Sequence, residues 1–338
     1  MQILSDNKRD IPLWVLGARA LIMAAVIFAA WGDLSYAEAA KQRPVTQETF
    51  KSPEAAVEML VSAAKANDEK RLMAILGPEG KHLVSSGDPI ADQQKRARFV
   101  QRYEEKNRLV NGSDRKIILE IGTELWPLPI PIVMKHGIWL FDTKAGKEEI
   151  LNRRIGLNEL NAIQVCLAYV DAQREYAEAM RISEGRRKYA QKFLSDQGKR
   201  DGLYWKTNEG EQQSPLGALV ALVAAAQTEG YRKGEVNQPT PYHGYIYKIL
   251  KAQGRHAPMG GYDYVVNGNM IAGFALVTHP AIYGSSGGMT FIVSDDGVVY
   301  EKNLGKHTED IVQKMNRFDP DKTWRKVDAK YLTPGKGN

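Results

Sequence analysis

The sequence is poor in cysteine: Cys166 is the only one among 338 residues. No intramolecular disulfide can form, so the folded chain has to be stabilised by the burial of apolar side chains alone. The lipid anchor of exported bacterial proteins is also excluded, because it needs a cysteine directly after an export signal. Cys166 lies within an amphipathic stretch, which predicts a small buried side chain and not a nucleophile.

Clustered metal ligands are lacking as well. Zinc sites in proteins are built from histidine and cysteine side chains at short, regular spacings. None of the six histidines stands three or four residues from another, and they are His82, His136, His243, His256, His279 and His307. The sequence therefore predicts no metal site, and no motif in it predicts a cofactor.

The motifs of covalent catalysis and of phosphate binding are incomplete. Ser62 and Lys65 have the Ser-x-x-Lys spacing of penicillin-recognising enzymes, but the two further elements of those enzymes occur only in poor form. The glycine-rich residues 283–288 precede a predicted strand, whereas a phosphate-binding loop leads into a helix N-terminus. Whether the chain is an enzyme stays open at this level.

No long basic run accompanies the formal net charge of +6. Basic side chains alternate with acidic ones, a pattern that is typical of solvated helix faces. The alternative reading is weak attraction to anionic envelope polymers or to lipid headgroups. No groove-reading motif accompanies the charge, so nucleic acid is not an expected partner.

What the sequence does contain begins with the layout of an export signal. Lys8 and Arg9 form a positive start, residues 20–31 are an unbroken apolar run, and Ala37 and Ala39 follow at the small-x-small spacing of a cleavage site. We expect residues 1–39 to be a signal peptide that is removed, and the mature chain to lie in the periplasm.

An uncleaved inner-membrane anchor and full secretion are the alternatives. The apolar run is shorter than the roughly 20 residues that a membrane-spanning helix needs. Extending it back to Ile11 would bury Arg19, at a cost on the order of 3 kcal/mol near a helix centre. Cleavage is therefore favoured, and it would leave no stable membrane span.

Residues 48–145, which follow a polar linker over 40–47, predict a first domain of helices and then strands. The pattern predicts helices from Ser52 to Ala64, over 69–76 and over 92–109, then strands over 116–126 and 132–141. Paired helices before a hairpin that ends in Gly137-x-Trp139-x-Phe141 resemble the cone-shaped α+β rolls of the nuclear-transport-factor-like and cystatin-like kind. The resemblance implies an apolar pocket inside the cone, with Glu120 or His136 facing inward.

Residues 146–307 predict a second domain, and 308–338 a small capping helix and a tail. The pattern predicts helices over 147–182 and 215–227, strands over 245–254, 270–279, 289–294 and 298–302, and a tight turn at Asp295-Asp296-Gly297. Thr290, Phe291, Val293, Gly297 and Val298 resemble the end of the globular head of type IV pilins. This resemblance implies a long helix packed on a four-stranded antiparallel sheet. The fold class is thus α+β throughout.

A longer resemblance joins both domains. Residues 201–205, 262–268 and 273–275, together with Pro280 and Tyr283, resemble an exported bacterial family that is catalogued as domain of unknown function 2950, over about 48–327. The resemblance implies export and a two-part body, and it implies no chemistry.

Aromatic density is the most distinctive feature of the second domain. Tyrosine and tryptophan suit the recognition of glycans and proteins, although aromatic residues are also expected simply to pack a sheet, as we predict for Tyr245 and Tyr247. The candidate binding surface comprises Tyr204, Trp205, Tyr242, His243, Tyr262 and Tyr283. The sequence favours a non-catalytic envelope protein, a scaffold or binding module for another envelope protein or polymer. The alternative is a periplasmic carrier or enzyme that uses the cone pocket.

Overall fold

The computed structural model describes residues 46–113, 115–180, 185, 187–208, 210–211, 213–217 and 241–332. The predicted signal peptide and most of the linker lie outside the described residues. The predicted helix over 215–227 lies outside them as well, apart from its first three positions.

Short helices form one layer of the first domain. They are α1 (Pro53–Lys65), α2 (Glu69–Leu76), α3 (Lys81–Val84) and α4 (Pro89–Glu105). Ser52 begins α1 as predicted, since its Oγ accepts a hydrogen bond from the N–H of Ala55 at 3.2 Å. Asp68 begins α2 in the same way, with its carboxylate accepting from the N–H of Arg71 at 2.9 Å. These caps pair backbone N–H groups that a helix start leaves free.

An antiparallel sheet forms the other layer. Its strands are β1 (Asn107–Ser113), β2 (Lys116–Ile121), β3 (Trp126–Pro127), β4 (Ile132–Lys135) and β5 (Ile138–Phe141). They follow the order β1-β2-β4-β5, and β3 also pairs with β2. Ile75 of α2 is fully buried with Ile132 and Phe141 of the sheet, so the two layers share one apolar core.

Two predicted boundaries in this domain are wrong. The helix predicted over 92–109 ends at Glu105, and the chain continues almost at once into β1, which pairs with β2 up to Ser113 and Lys116. The single strand predicted over 132–141 is a hairpin of β4 and β5. His136 (φ +51°) and Gly137 (φ +81°) both adopt the left-handed conformation that a two-residue hairpin turn requires.

The long helix α5 (Thr143–Ala179) joins the two domains. Its first turn belongs to the first domain, where the hydroxyl of Thr143 donates to the carbonyl of Leu76 at 2.7 Å. Its second half packs in the second core through Cys166, Tyr169 and Tyr176. Cys166 has no exposed surface, and burial raises the pKa of its thiol, so the prediction of a small buried side chain is confirmed.

The second domain packs α5 against a second antiparallel sheet. Its strands are β6 (Tyr245–Leu250), β11 (Ala275–Pro280), β12 (Thr290–Ser294), β13 (Tyr300–Lys302) and β15 (Arg325–Lys326), in the order β15-β13-β12-β11-β6. Short ladders involve β7 (Ala252–Gln253), β8 (Tyr262–Asp263), β9 (Val265–Val266), β10 (Asn269–Met270) and β14 (Arg317–Phe318), and α6 spans Thr308–Lys314.

The α+β class is confirmed, with two differences of detail in this sheet. A fifth strand, β15, comes from the segment that was predicted as a cap and tail. The strand predicted over 270–279 begins only at Ala275, because Met270 pairs separately with Val265. Within the described ranges, no helix combines the length and the apolar character that crossing a membrane requires.

Candidate functional site

Two of the six predicted surface residues are buried. Trp205 exposes 7% of its surface and Tyr242 exposes 5%, and burial raises the pKa of the Tyr242 hydroxyl. Trp205 belongs to the second core, with the Arg200 guanidinium 5.4 Å from its ring centroid. Neither ring can therefore act as part of a binding surface.

The other four are half-buried and lie apart from one another. The Tyr283 hydroxyl donates to Oδ1 of Asn303 at 3.1 Å, and the backbone of Tyr204 pairs with the segment that begins at Phe193. Tyr262 contacts the edge of Tyr264, with ring centroids 5.7 Å apart. Of all six, only Tyr242 and His243 are in ring contact, with centroids 4.1 Å apart.

The two predicted pocket residues do not face a cavity. His136 is exposed at the hairpin turn between β4 and β5, because that turn places it beyond the end of the sheet. Glu120 pairs with Arg108 on the neighbouring strand β1, with Oε2 and Nε 2.6 Å apart. The inward orientation that the roll resemblance implied for these residues is absent.

The interior of the first domain is largely filled. Leu72 is buried in the core, and Trp139 packs against it. A mostly apolar, half-open groove of about 210 Å³ remains between the helices and the segment before β4, with Leu72, Val84 and Phe99 among its walls.

A more polar cleft opens where α5 ends in the second domain. It has a volume of about 420 Å³ and combines charged side chains with two aromatic rings. We call it the Asp295 cleft, and it is lined by Arg174, Glu175, Ala177, Glu178, Arg187, Tyr189, Phe274 and Asp295. Three separate parts of the chain therefore meet here: the last turns of α5, the segment around Tyr189, and the ends of the sheet.

Asp295 is a carboxylate of the cleft whose pKa is shifted from its ordinary value. Burial raises the pKa of its carboxyl, and the neighbouring charge of Asp296 raises it further. Its hydrogen bonds come from the backbone N–H groups of residues 295 and 296, and the more distant charge of Arg174 offsets the shift only in part. A titratable group with a shifted pKa in a cleft is a candidate for function.

Local backbone chemistry fixes the position of Asp295. The carbonyl oxygen of Asp295 accepts a hydrogen bond from Nη2 of Arg174 at 2.9 Å, which ties the turn to α5. Gly273 adopts φ +145°, and a Cβ there would lie 2.9 Å from the Tyr264 ring. Only glycine therefore lets the backbone at position 273 pass this close to the Tyr264 ring beside the Asp295 carboxylate.

Both arginines of the cleft are paired with carboxylates. Arg187 forms an ion pair with Glu178, and Nη1 of Arg174 lies 3.8 Å from the carboxylate of Asp171. Tyr189 is half-buried beside them, and its pKa is raised by burial and then by the charge of Asp295. Of the carboxylates that line the cleft, Glu175 and Glu178 are exposed to solvent, and Asp295 is the one that is half-buried.

Sequence reasoning missed this cleft. Asp295 was interpreted only as part of the hairpin turn, which is indeed present between β12 and β13. One sequence feature could have indicated the site. Asp295 and Asp296 are adjacent before Gly297, and repulsion between two neighbouring carboxylates raises a pKa. Within the described residues, no three histidine, cysteine, aspartate or glutamate side chains are grouped so that they could hold a metal ion.

Comparison with known proteins bears on the chain as a whole. The profile of the family described as "Protein of unknown function (DUF2950)" matches residues 47–327. The chain belongs to this family. The resemblance found in the sequence is therefore confirmed, and the Asp295 cleft lies wholly within the matched residues. No curated protein and no solved structure matches the chain.

Proposed function

We propose that this chain is an exported, non-catalytic binding module of the cell envelope, and that the Asp295 cleft receives a cationic group of an envelope protein or polymer. The observation that carries the proposal is the half-buried Asp295 carboxylate, whose pKa is raised chiefly by burial. A buried charge without a close partner is unfavourable, and an incoming cation would compensate it.

The rest of the cleft supports recognition. Tyr189 and Phe274 offer flat surfaces against which an alkyl or guanidinium stem can pack, and arginine and lysine side chains commonly pack in this way. The paired charges of Arg187 and Glu178 stand at the rim, where a peptide backbone or a polar polymer could exchange hydrogen bonds with them. The lining consists of carboxylates, guanidinium groups, aromatic rings and one alanine, which suits binding better than nucleophilic chemistry.

The expected compartment and the likeness to pilin heads remain part of this proposal. The N-terminal pattern of a basic start, an apolar run and a small-x-small site supports export to the periplasm, with an inner-membrane anchor or secretion as alternatives. The packing of α5 on an antiparallel sheet supports the pilin-like description. Fractionation with mass measurement tests the compartment: a mature N-terminus near residues 38–41 is expected, and an intact Met1 in membranes would contradict it.

Photo-crosslinking in cells tests the binding site. Glu175 lines the cleft on an exposed helix face, and a photo-reactive amino acid there should label the occupant. Asp295→Asn should abolish the labelled product, because it removes the charge that attracts the cation. Asp310→Asn is the matched control: it removes an exposed carboxylate on α6 that does not line the cleft, and it should leave labelling unchanged. Equal labelling in the Asp295→Asn protein, or no product in any variant, would refute the proposal.

A second candidate function, the carriage of a small apolar molecule, is favoured by the groove of about 210 Å³ in the first domain. Enclosed apolar cavities can take up benzene, and benzene is a simple probe of whether this groove also accepts an apolar ring. Benzene should then raise the melting temperature of the protein, and Leu83→Trp at the groove wall should remove that effect. No shift in the wild-type protein would eliminate this candidate.

A further inference from the structure

Trp126 is exposed where a tryptophan is normally covered. Its exposed fraction is 49%, and of the tryptophans in the described part of the chain it alone is exposed. It forms β3 with Pro127 at one end of the first sheet, paired with Ile121. A large aromatic surface left open to water is characteristic of a residue that contacts a partner.

The ring is held in place before any partner arrives. The guanidinium of Arg153, from α5, lies 5.3 Å from the centroid of the Trp126 ring. Arg153 is itself fixed by Oε1 of Glu149 at 2.7 Å and by the carbonyl of Pro127 at 2.8 Å. A side chain that is ordered in advance loses little conformational entropy on binding, which favours affinity.

Trp126 borders a cleft of about 410 Å³ between α4 and the turn after β2. This volume lies in the range of small-ligand sites, roughly 300–1,000 Å³. The charged residues of its lining balance in sign, since Arg98 and Arg102 face Glu105 and Glu124. The guanidinium groups donate hydrogen bonds and the carboxylates accept them. Because their charges cancel, the cleft favours neither an anionic nor a cationic ligand.

A second cleft, of about 310 Å³, adjoins the contact between Arg153 and Pro127. Its walls are again mixed, with Lys116 and Glu148 of opposite charge and Asn152 as a neutral amide. The paired Trp126 and Arg153 therefore have a polar concavity next to each of them. This arrangement suits an elongated ligand better than a compact one.

We infer that Trp126 and the adjoining clefts bind a neutral, hydroxyl-rich glycan, with one sugar ring stacked on the indole and its neighbours hydrogen-bonded in the clefts. Balanced, planar charged groups around one exposed aromatic ring match hydroxyl groups, which both donate and accept. A protein partner is less well matched, because the cores of protein interfaces are depleted of charged residues. This site lies in the first domain, and it does not depend on the Asp295 cleft.

The probe is a panel of neutral tetrasaccharides, composed of β-1,4-linked N-acetylglucosamine, β-1,4-linked glucose and α-1,4-linked glucose, titrated into the mature protein by calorimetry. At least one should bind, and Trp126→Ala should weaken it at least tenfold. Trp126→Phe retains a stacking surface and should stay within about threefold of wild type, a fold-change of about 0.7 kcal/mol or less. Tyr331→Ala is the matched control, since Tyr331 is another exposed ring beside a cation, Lys330, and this change should have no effect.

Co-sedimentation with purified peptidoglycan sacculi distinguishes a cell-wall polymer from free oligosaccharides. Sedimentation that is lost in Trp126→Ala identifies the polymer as the source, and binding of tetrasaccharides alone identifies soluble glycans. Absence of binding in both assays would overturn the inference, as would equal binding by the wild-type and Trp126→Ala proteins. Because the proposed function is read from crosslinks at the Asp295 cleft, the failure of one proposal leaves the other standing.

Discussion

Gln173 provides the sharpest test of how the Asp295 cleft is held together. Its side chain is fully buried in α5, where it forms a two-way pair with the backbone of Ala190. Nε2 donates to the Ala190 carbonyl at 2.8 Å, and Oε1 accepts from the Ala190 N–H at 2.9 Å. Ala190 directly follows Tyr189, so this pair positions one wall of the cleft.

Replacing Gln173 by leucine keeps the approximate volume and removes both hydrogen bonds. Two buried backbone groups of Ala190 would then lack partners, at about 1–3 kcal/mol each. The Tyr169 hydroxyl would also lose the bond it accepts from Gln173 at 3.0 Å. We expect Gln173→Leu to lower the free energy of unfolding by about 3 kcal/mol, or somewhat more.

Urea unfolding followed by circular dichroism measures this loss, and hydrogen exchange at residues 187–190 reports whether the cleft wall loosens. Gln164→Leu is the matched control on the same helix. Its side chain donates to the carbonyl of Tyr331 at 2.9 Å in an exposed position, so we expect a loss below about 1 kcal/mol. If the two variants were equally stable, the pair between Gln173 and Ala190 would not hold the wall.

Three further predictions follow from buried groups of the second domain. Lys248 donates to the carbonyls of residues 312, 313 and 315 at 2.7–2.9 Å, so Lys248→Met should destabilise the domain by about 2–3 kcal/mol in urea titrations, whereas a loss near zero would contradict this role. The folded-state pKa of Asp295 is raised, so the unfolded chain ionises first as the pH rises, and stability falls across that window. In thermal unfolding, Asp295→Asn should therefore be more stable than wild type at pH 7 and equal to it at pH 3. Equal stability at both pH values would show that folding does not raise the pKa of this carboxyl. Cys166, buried with a raised thiol pKa, should react with a thiol reagent only after denaturant is added, and rapid labelling of the native protein would show that it is accessible.

Local chemistry made part of the fold predictable. Ser52 and Asp68 precede apolar residues at helical spacing, and each caps the helix that was expected of it. The hairpin at Gly297 was predicted for a similar reason, since a glycine in a tight turn supplies the left-handed conformation. Gly137 also forms a tight turn, together with His136, but an apolar run surrounds both residues. The run predicted one continuous strand, and His136 was wrongly placed within it.

The site could not be predicted in this way, because it depends on contacts between distant parts of the chain. The pKa of Asp295 is raised by burial in a cleft formed by α5, the segment around Tyr189, and Phe274. These parts are far apart in the sequence, so no local pattern predicts that they come together. Tyr242 and Trp205 show the converse. Both are aromatic residues of the kind that recognition surfaces use, yet the fold buries both side chains. Trp126 was not singled out by its sequence context, and it lies at the end of the sheet, outside the first core.

The most direct test of the account is the titration of the Asp295 carboxyl itself. Carbon-13 NMR of the mature protein, assigned by comparison with Asp295→Asn, would follow that group alone and then with the partner identified by crosslinking at Glu175. The account predicts a pKa above the ordinary aspartate range in the free protein, and a fall toward or below that range when the cationic partner binds. An ordinary pKa in the free protein, or no change on binding, would contradict the claim that Asp295 is held ready for a cation.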